Sequence, residues 1–132
     1  MKLYMLRSKK ININKDFIDL LKIHFNNDYE VGGVIFAYKK RFKIVIDTLS
    51  FKKGNRMHID FTSDDVALFE VPPKHYIVGT WHTHPFQNKI AASNIDLAQW
   101  KKWNRKYLHL IFNGNEIKIF TSKGDIVYDR KI

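Results

Sequence analysis

The feature that most constrains this chain is a pair of histidines one residue apart, His82 and His84, at the end of an apolar run that starts at Tyr76. Side chains alternate along an extended strand, so both imidazoles face one side and offer two nitrogen donors to a single point. Pro85 follows, and Ser93-Asn94-Ile95-Asp96 lies just downstream at what reads as a helix start. From there Asp96 can bring a carboxylate oxygen to the same point. Three protein donors with a fourth position open form the coordination shell that a catalytic zinc site requires. A base is also needed beside the open position, and the best candidate stands far upstream: Glu30, just ahead of Gly32-Gly33.

Each piece has a plainer reading. His-x-His can be the polar face of a strand. Ser93 with Asp96 can be only a helix cap, with an acid where the helix dipole favours it. Gly32-Gly33 can be a tight bend. The conjunction, in one short chain and one order, is what argues for a site.

Composition narrows the field. The 132 residues suit one domain over 1–132 with a single core. There is no cysteine, so any zinc must be held by histidine and carboxylate, which suits a reducing compartment. The opening Met1 to Arg7 is too short an apolar run for a signal peptide, and no segment approaches bilayer-spanning length. The expectation is a cytoplasmic protein without membrane contact. A formal charge of +10, from 23 Lys and Arg against 13 Asp and Glu, favours acidic partners or nucleic acid. The cations nevertheless fall in dispersed pairs, Lys9-Lys10, Lys39-Lys40, Lys52-Lys53 and Lys101-Lys102, with no basic-aromatic run. They read as solvated turns and helix faces, and nucleic acid is not expected as a partner.

Periodicity supplies the elements. Asn14 caps a helix with Phe17, Leu20, Leu21 and His24 as its apolar stripe and His24 at the core edge. Val34 to Tyr38 and Phe42 to Asp47 flank Lys39-Lys40-Arg41 as a hairpin. A turn at Lys53-Gly54-Asn55 leads to a strand from Arg56 to Phe61, on which Met57, Ile59 and Phe61 face the core. A short helix runs from Ser63 to Phe69 before Pro72-Pro73. Tyr76 to His82 is the next strand, and Ser93 opens a helix to about Arg105 with Leu97, Trp100 and Trp103 inward. Tyr107 to Phe112 and Asn115 to Phe120 surround Asn113-Gly114, a hairpin signal of type I′. After a turn at Ser122 to Asp125, Ile126 to Asp129 is the final strand. Hairpin strands with two main helices predict an α/β or α+β sandwich around a mixed sheet.

The set Glu30 before Gly32-Gly33, His82-Thr83-His84-Pro85, and Ser93 to Asp96 resembles the JAMM (JAB1/MPN/Mov34) metalloprotease family, whose pattern is a distant Glu, His-x-His-Pro, then Ser-x-x-Asp. The likeness covers nearly the whole chain, because the early helix, Glu-bearing segment, ligand strand and metal-binding helix come in the family's order. Trp81 and Trp100 are similar to its small stand-alone prokaryotic branch, which includes deconjugating enzymes of antiphage operons.

The resemblance implies a JAB/MPN-like mixed sheet flanked by two main helices. It implies one Zn²⁺ per chain on His82, His84 and Asp96, with Glu30 holding and deprotonating the zinc-bound water and Ser93 hydrogen-bonding the oxyanion. The implied activity is a zinc-dependent isopeptidase or peptidase, acting at the C-terminus of a ubiquitin-like protein. Implied partners are that protein or its conjugates, and a conjugating or activating enzyme or another antiphage component.

Two departures stand out. Pro85 to Ala92 is one residue longer than the family's usual spacing, and Phe61 to Tyr76 lacks the long insertions with which some relatives grip ubiquitin. Substrate recognition is therefore expected from a partner or a second copy in a homodimer. The alternatives are a non-catalytic MPN-type interaction module, in which a ligand is typically missing, and a basic nucleic-acid-binding domain with a structural metal. A deaminase would need His-x-Glu and paired cysteines, and a zincin would need His-Glu-x-x-His; the chain has neither.

Overall fold

The computed structural model describes residues 10–53 and 71–132, so the expected strand from Arg56 to Phe61 and helix from Ser63 to Phe69 lie outside the described residues. Within them the order is β1 (Lys10–Ile13), α1 (Lys15–His24), β2 (Val31–Lys40), β3 (Lys43–Leu49), β4 (Lys52–Lys53), β5 (Tyr76–Thr83), α2 (Asn94–Trp100), β6 (Leu108–Phe112), β7 (Glu116–Phe120) and β8 (Ile126–Lys131). The strands form one mixed sheet in the order β1-β3-β2-β5-β6-β7-β8, with β4 on β2. Pairs β1/β3 and β5/β6 are parallel and the others antiparallel. This is the expected mixed-sheet α+β architecture.

The central strand β5 divides the protein into two faces. Trp81 turns toward α1, whose Phe17, Ile18 and Leu21 join it with Leu110, Phe112, Ile117 and Ile119 in the main core. Each large aliphatic or aromatic side chain so removed from water contributes about 1.5–3 kcal/mol before the entropy of ordering is charged. Thr80, His82 and His84 alternate to the opposite face, where Ile90, Trp100, Ile111 and Phe120 make a smaller cluster under α2. The sheet curls around α1 until its two edge strands meet: Arg130 of β8 donates to the Ile13 carbonyl at the end of β1, at 3.1 Å.

Several elements differ from the sequence reading for identifiable reasons. The inward stripe of α1 is Phe17, Ile18 and Leu21, while Leu20 and His24 are half-buried; His24 stacks on Phe51 with ring centres 4.6 Å apart. The β2–β3 turn is Arg41-Phe42, with Arg41 at φ 57°, so β2 runs two residues further than expected, to Lys40, and β3 starts one residue later, at Lys43. Helix α2 stops at Trp100 instead of continuing to Arg105. The Asn104 side chain accepts the Lys106 N–H at 2.9 Å, and Trp103 stacks on Tyr107, so local side-chain bonds replace the next helical turn. At Asn113-Gly114 only Gly114 has positive φ, so the turn is not type I′. The Asn113 side chain instead accepts the Asn115 and Glu116 N–H groups at 2.9 and 2.8 Å. The short β1 was invisible to periodicity because it holds only four residues.

Entry into β5 is pinned by His75, whose Nδ1 meets the Pro73 carbonyl at 2.8 Å and whose Nε2 meets Asp47 Oδ1 at 2.9 Å. Both ring nitrogens face acceptors, and the Pro73 carbonyl first, then Asp47, raise the His75 pKa above 6.5 against the effect of burial. A group raised on folding stabilises the fold fully below its unfolded value and loses that contribution as pH rises through its folded value. The stability difference between the parent and His75→Ala, measured by urea unfolding, is therefore expected to be larger at about pH 6 than at about pH 9. A difference that grows with pH would contradict this.

Candidate metal centre

The site is assembled from three segments that the sheet brings together. β2 and β5 pair antiparallel with Gly32 opposite His82, so Glu30, one residue before β2, arrives beside the end of β5. The approach is close. A Cβ built on Gly32 would meet the Trp81 carbonyl and lie 2.9 Å from the His82 Cβ, and one on Gly33 would meet the Ser50 carbonyl. The paired glycines thus serve close strand approach and not a bend. Past the end of β5, the His84 N–H still bonds to the Phe112 carbonyl at 3.0 Å, which extends the ladder to the second histidine.

The donors converge. His82 Nε2 and His84 Nε2 are 3.0 Å apart; His82 Nε2 lies 3.0 Å from Asp96 Oδ1, and His84 Nε2 lies 3.2 Å from Asp96 Oδ2. A donor atom of Glu30 lies within 4.8 Å of donor atoms of both histidines. All three of His82, His84 and Asp96 are buried, whereas Glu30 is half-buried.

Electrostatics follow from this crowding. Burial works to raise the Asp96 carboxyl, but hydrogen bonds from His82 and His84, the charge on His82 and the Ser93 amide outweigh it. The group is held well below the usual carboxylate range. Burial works to lower His84, and Asp96, Gln87 and the charge on Glu30 together raise it.

Helix α2 presents Asp96 through a reciprocal cap. Ser93 Oγ accepts the Asp96 N–H at 3.0 Å, and Asp96 Oδ2 accepts the Ser93 N–H at 2.9 Å. Trp100, one helical turn on, lies flat against His109 with ring centres 4.7 Å apart and planes 7° apart. Burial, then the charge on His82, pushes His109 down to about 3, so this ring is neutral packing material beneath the helix.

The longer loop before Ser93 is held from the β6–β7 hairpin. Asn113 Nδ2 donates to the carbonyls of Gln87 and Asn88, and Glu116 Oε1 accepts the Ile90 N–H at 3.1 Å. The extra residue therefore does not carry Asp96 away from the histidines.

Sequence reasoning missed Gln87, whose Oε1 accepts from His84 Nδ1 at 2.7 Å and from the Ala91 N–H at 3.2 Å. That contact fixes the ring orientation with Nε2 facing His82 and Asp96, and with a metal bound it would keep the proton on Nδ1, as an orienting partner of a metal-bound histidine does. A glutamine three residues after a histidine was the only trace of it in the sequence.

The donor set fits a zinc-sized cation. Ligands at about 2.0–2.2 Å in a tetrahedron stand about 3.3–3.5 Å from one another. The two imidazole nitrogens stand 3.0 Å apart and each lies 3.0–3.2 Å from a different oxygen of Asp96, slightly inside that spacing. Two imidazole nitrogens and a carboxylate so placed could hold one metal ion.

Comparison with known proteins agrees at the level of the fold. No protein-family model matches the sequence, and no curated protein does. Solved structures do. A JAB1/MPN domain protein from Archaeoglobus fulgidus superposes with a TM-score of 0.60 at 20% identity, over 89% of this chain and 94% of that one. A structure described as JAMM, a metalloprotease-like zinc site in the proteasome and signalosome, gives a TM-score of 0.56 at 17% identity, over 90% and 94%. The protein DSY2949 from Desulfitobacterium hafniense gives 0.61 at 12% identity, over 92% and 90%. The chain has the JAB1/MPN fold. No helix among the described residues is long and apolar enough to cross a membrane.

Two substitutions separate ligation from its support. Gln87→Leu is expected to weaken zinc binding about 10–100-fold in chelator competition while leaving the fold intact. Gly32→Ala is expected to weaken it as well, by pushing on the His82 backbone. Unchanged affinity in both variants would contradict the described support.

Proposed function

We propose that this chain is a zinc-dependent peptidase of the JAMM type, with His82, His84 and Asp96 as metal ligands and Glu30 as the general base. The observation that carries it is the mutual approach of two Nε2 atoms and one carboxylate to 3.0–3.2 Å, with Glu30 on the same site. A non-catalytic module would not need Glu30 there. Held by three ligands with one position open, zinc would acidify water toward neutrality and polarise a carbonyl oxygen.

The chain's own residues would do the rest. Glu30 takes the proton from the attacking water at a carboxylate oxygen and returns it to the departing amine nitrogen. Ser93 Oγ already accepts the Asp96 N–H, which leaves its hydroxyl proton to donate to the carbonyl oxygen as negative charge develops there. Gln87 and the α2 cap hold the donors in place before substrate arrives, so little reorganisation is left for the reaction itself.

The substrate we propose is the C-terminal region of a ubiquitin-like protein, cut at a peptide or isopeptide bond, in a prokaryotic cytoplasm with a conjugating or activating enzyme nearby. Support comes from the resemblance of the Glu, His-x-His-Pro and Ser-x-x-Asp pattern together with the fold.

The test uses the zinc-loaded protein and a ubiquitin-like protein carrying a C-terminal fluorogenic amide. Glu30→Gln should keep about one zinc per chain and lose about 10²–10⁴-fold in kcat. Ser93→Ala should lose about 10²–10³-fold and cost about 1 kcal/mol of helix cap. Full activity in Glu30→Gln would remove the mechanism. A zinc-loaded parent that cleaves no such amide would leave the interaction module as the better reading.

A further inference from the structure

At the other end of the sheet the concave face that α1 partly covers opens into a cavity of about 1210 Å³. Its floor is aliphatic, with Ile11, Ile44, Val78, Leu108 and Val127. Its rim carries Lys10 and Lys39 from β1 and β2, and Arg105 and Lys106 from the loop before β6. Those four cations are exposed, and no Asp or Glu is among the described residues that line the cavity. Three tyrosines, Tyr76, Tyr107 and Tyr128, are interleaved with them, each half-buried. β5 enters the cavity at Tyr76 and leaves the sheet at the metal centre, so the two sites are separated by roughly 20 Å of strand.

We propose that this cavity binds a short stretch of single-stranded nucleic acid. Phosphates would lie along the cationic rim, and bases would stack on tyrosine rings over the aliphatic floor. Three features favour that occupant. The volume exceeds the roughly 300–1,000 Å³ of a pocket for one small ligand, so an extended chain suits it better. The cations come from segments on both sides of β5 in the sheet order, Lys10 and Lys39 from β1 and β2 and Arg105 and Lys106 from the loop before β6, as a repeating charge requires. Aromatic rings set among cations, with Trp103 on one face of Tyr107 and Lys39 Nζ 5.8 Å from the Tyr76 ring centre, provide stacking surfaces that do not depend on base identity.

This departs from the sequence expectation, which found no basic-aromatic run. The fold builds one from separate segments: β1, the end of β2, the start of β5, the loop before β6, and β8. The proposal stands independently of the metal chemistry.

The test is fluorescence anisotropy of a labelled oligothymidylate of about 15 nucleotides with the full chain. Saturable binding is expected with Kd of about 1–100 µM at about 50 mM salt, and log K should fall linearly with log salt. The double charge reversal Arg105→Glu/Lys106→Glu, both exposed side chains outside the metal centre, should lose at least about tenfold. Tyr107→Leu should lose about tenfold while Tyr107→Phe keeps parental affinity, because stacking needs the ring and not the hydroxyl. Melting temperatures check that each variant is folded, and the charge reversal keeps the test decisive if Tyr107→Leu is not. No saturable binding at low salt overturns the proposal. So does equal affinity in the folded charge-reversal variant, which would place binding elsewhere on the basic surface. Competition by polyglutamate as strong as by oligothymidylate, with Tyr107→Leu equal to Tyr107→Phe, would overturn it in favour of an acidic peptide.

Discussion

Donors of the kind found here do not crowd together unaided. Two imidazole nitrogens and a carboxylate 3.0–3.2 Å apart, all buried, must be held by the surrounding fold, by a proton shared among them, or by a cation. The mutual pull of Asp96 and the imidazoles does part of that holding, which is why His84 gains basicity and Asp96 loses it. The same arrangement leaves a metal ion of the right radius little to rearrange. The rest of the structure can be understood as what keeps those donors close.

The support comes from both sides of the sheet, and the two sides do different work. Under α1, a dense apolar core fixes β5 through Trp81, whose indole N–H also reaches the Ser50 carbonyl at 2.7 Å. Under α2, the packing is thinner and polar groups carry more of it. The Trp100–His109 stack, the Ser93–Asp96 cap and the grip of Asn113 and Glu116 on the loop after Pro85 are its main parts. Rigid strands present the histidines, and a short, capped helix presents the carboxylate. A longer α2 would add nothing to that task, and the helix ends at Trp100, whose ring reaches the sheet.

How much of this the sequence disclosed depends on the range of the interaction. The alternation that puts His82 and His84 on one side is local, and so is the Ser93–Asp96 cap; both were legible. Gly32-Gly33 read as a tight bend, because the close approach that requires the glycines involves His82 and Ser50, distant in the chain. Gln87, Asn113 and Glu116 were not legible as parts of the site, because their roles depend on contacts across loops. The early end of α2 was hidden for a related reason, since the Asn104 side chain and the Trp103–Tyr107 stack compete with a helical pattern that periodicity alone supports. The gathering of cations and tyrosines at the far end of the sheet is mostly nonlocal: Arg105-Lys106-Tyr107 is contiguous, but Lys10, Lys39, Tyr76 and Tyr128 join it only through the fold.

The claim on which the account depends is that His82, His84 and Asp96 meet at one cation. Titration of the metal-free protein with Co²⁺, followed by visible absorption, tests it directly. The account predicts saturation at about one Co²⁺ per chain with the intense bands of a tetrahedral nitrogen and oxygen site, absent from Asp96→Asn. Weak octahedral bands, or a spectrum unchanged by Asp96→Asn, would contradict it.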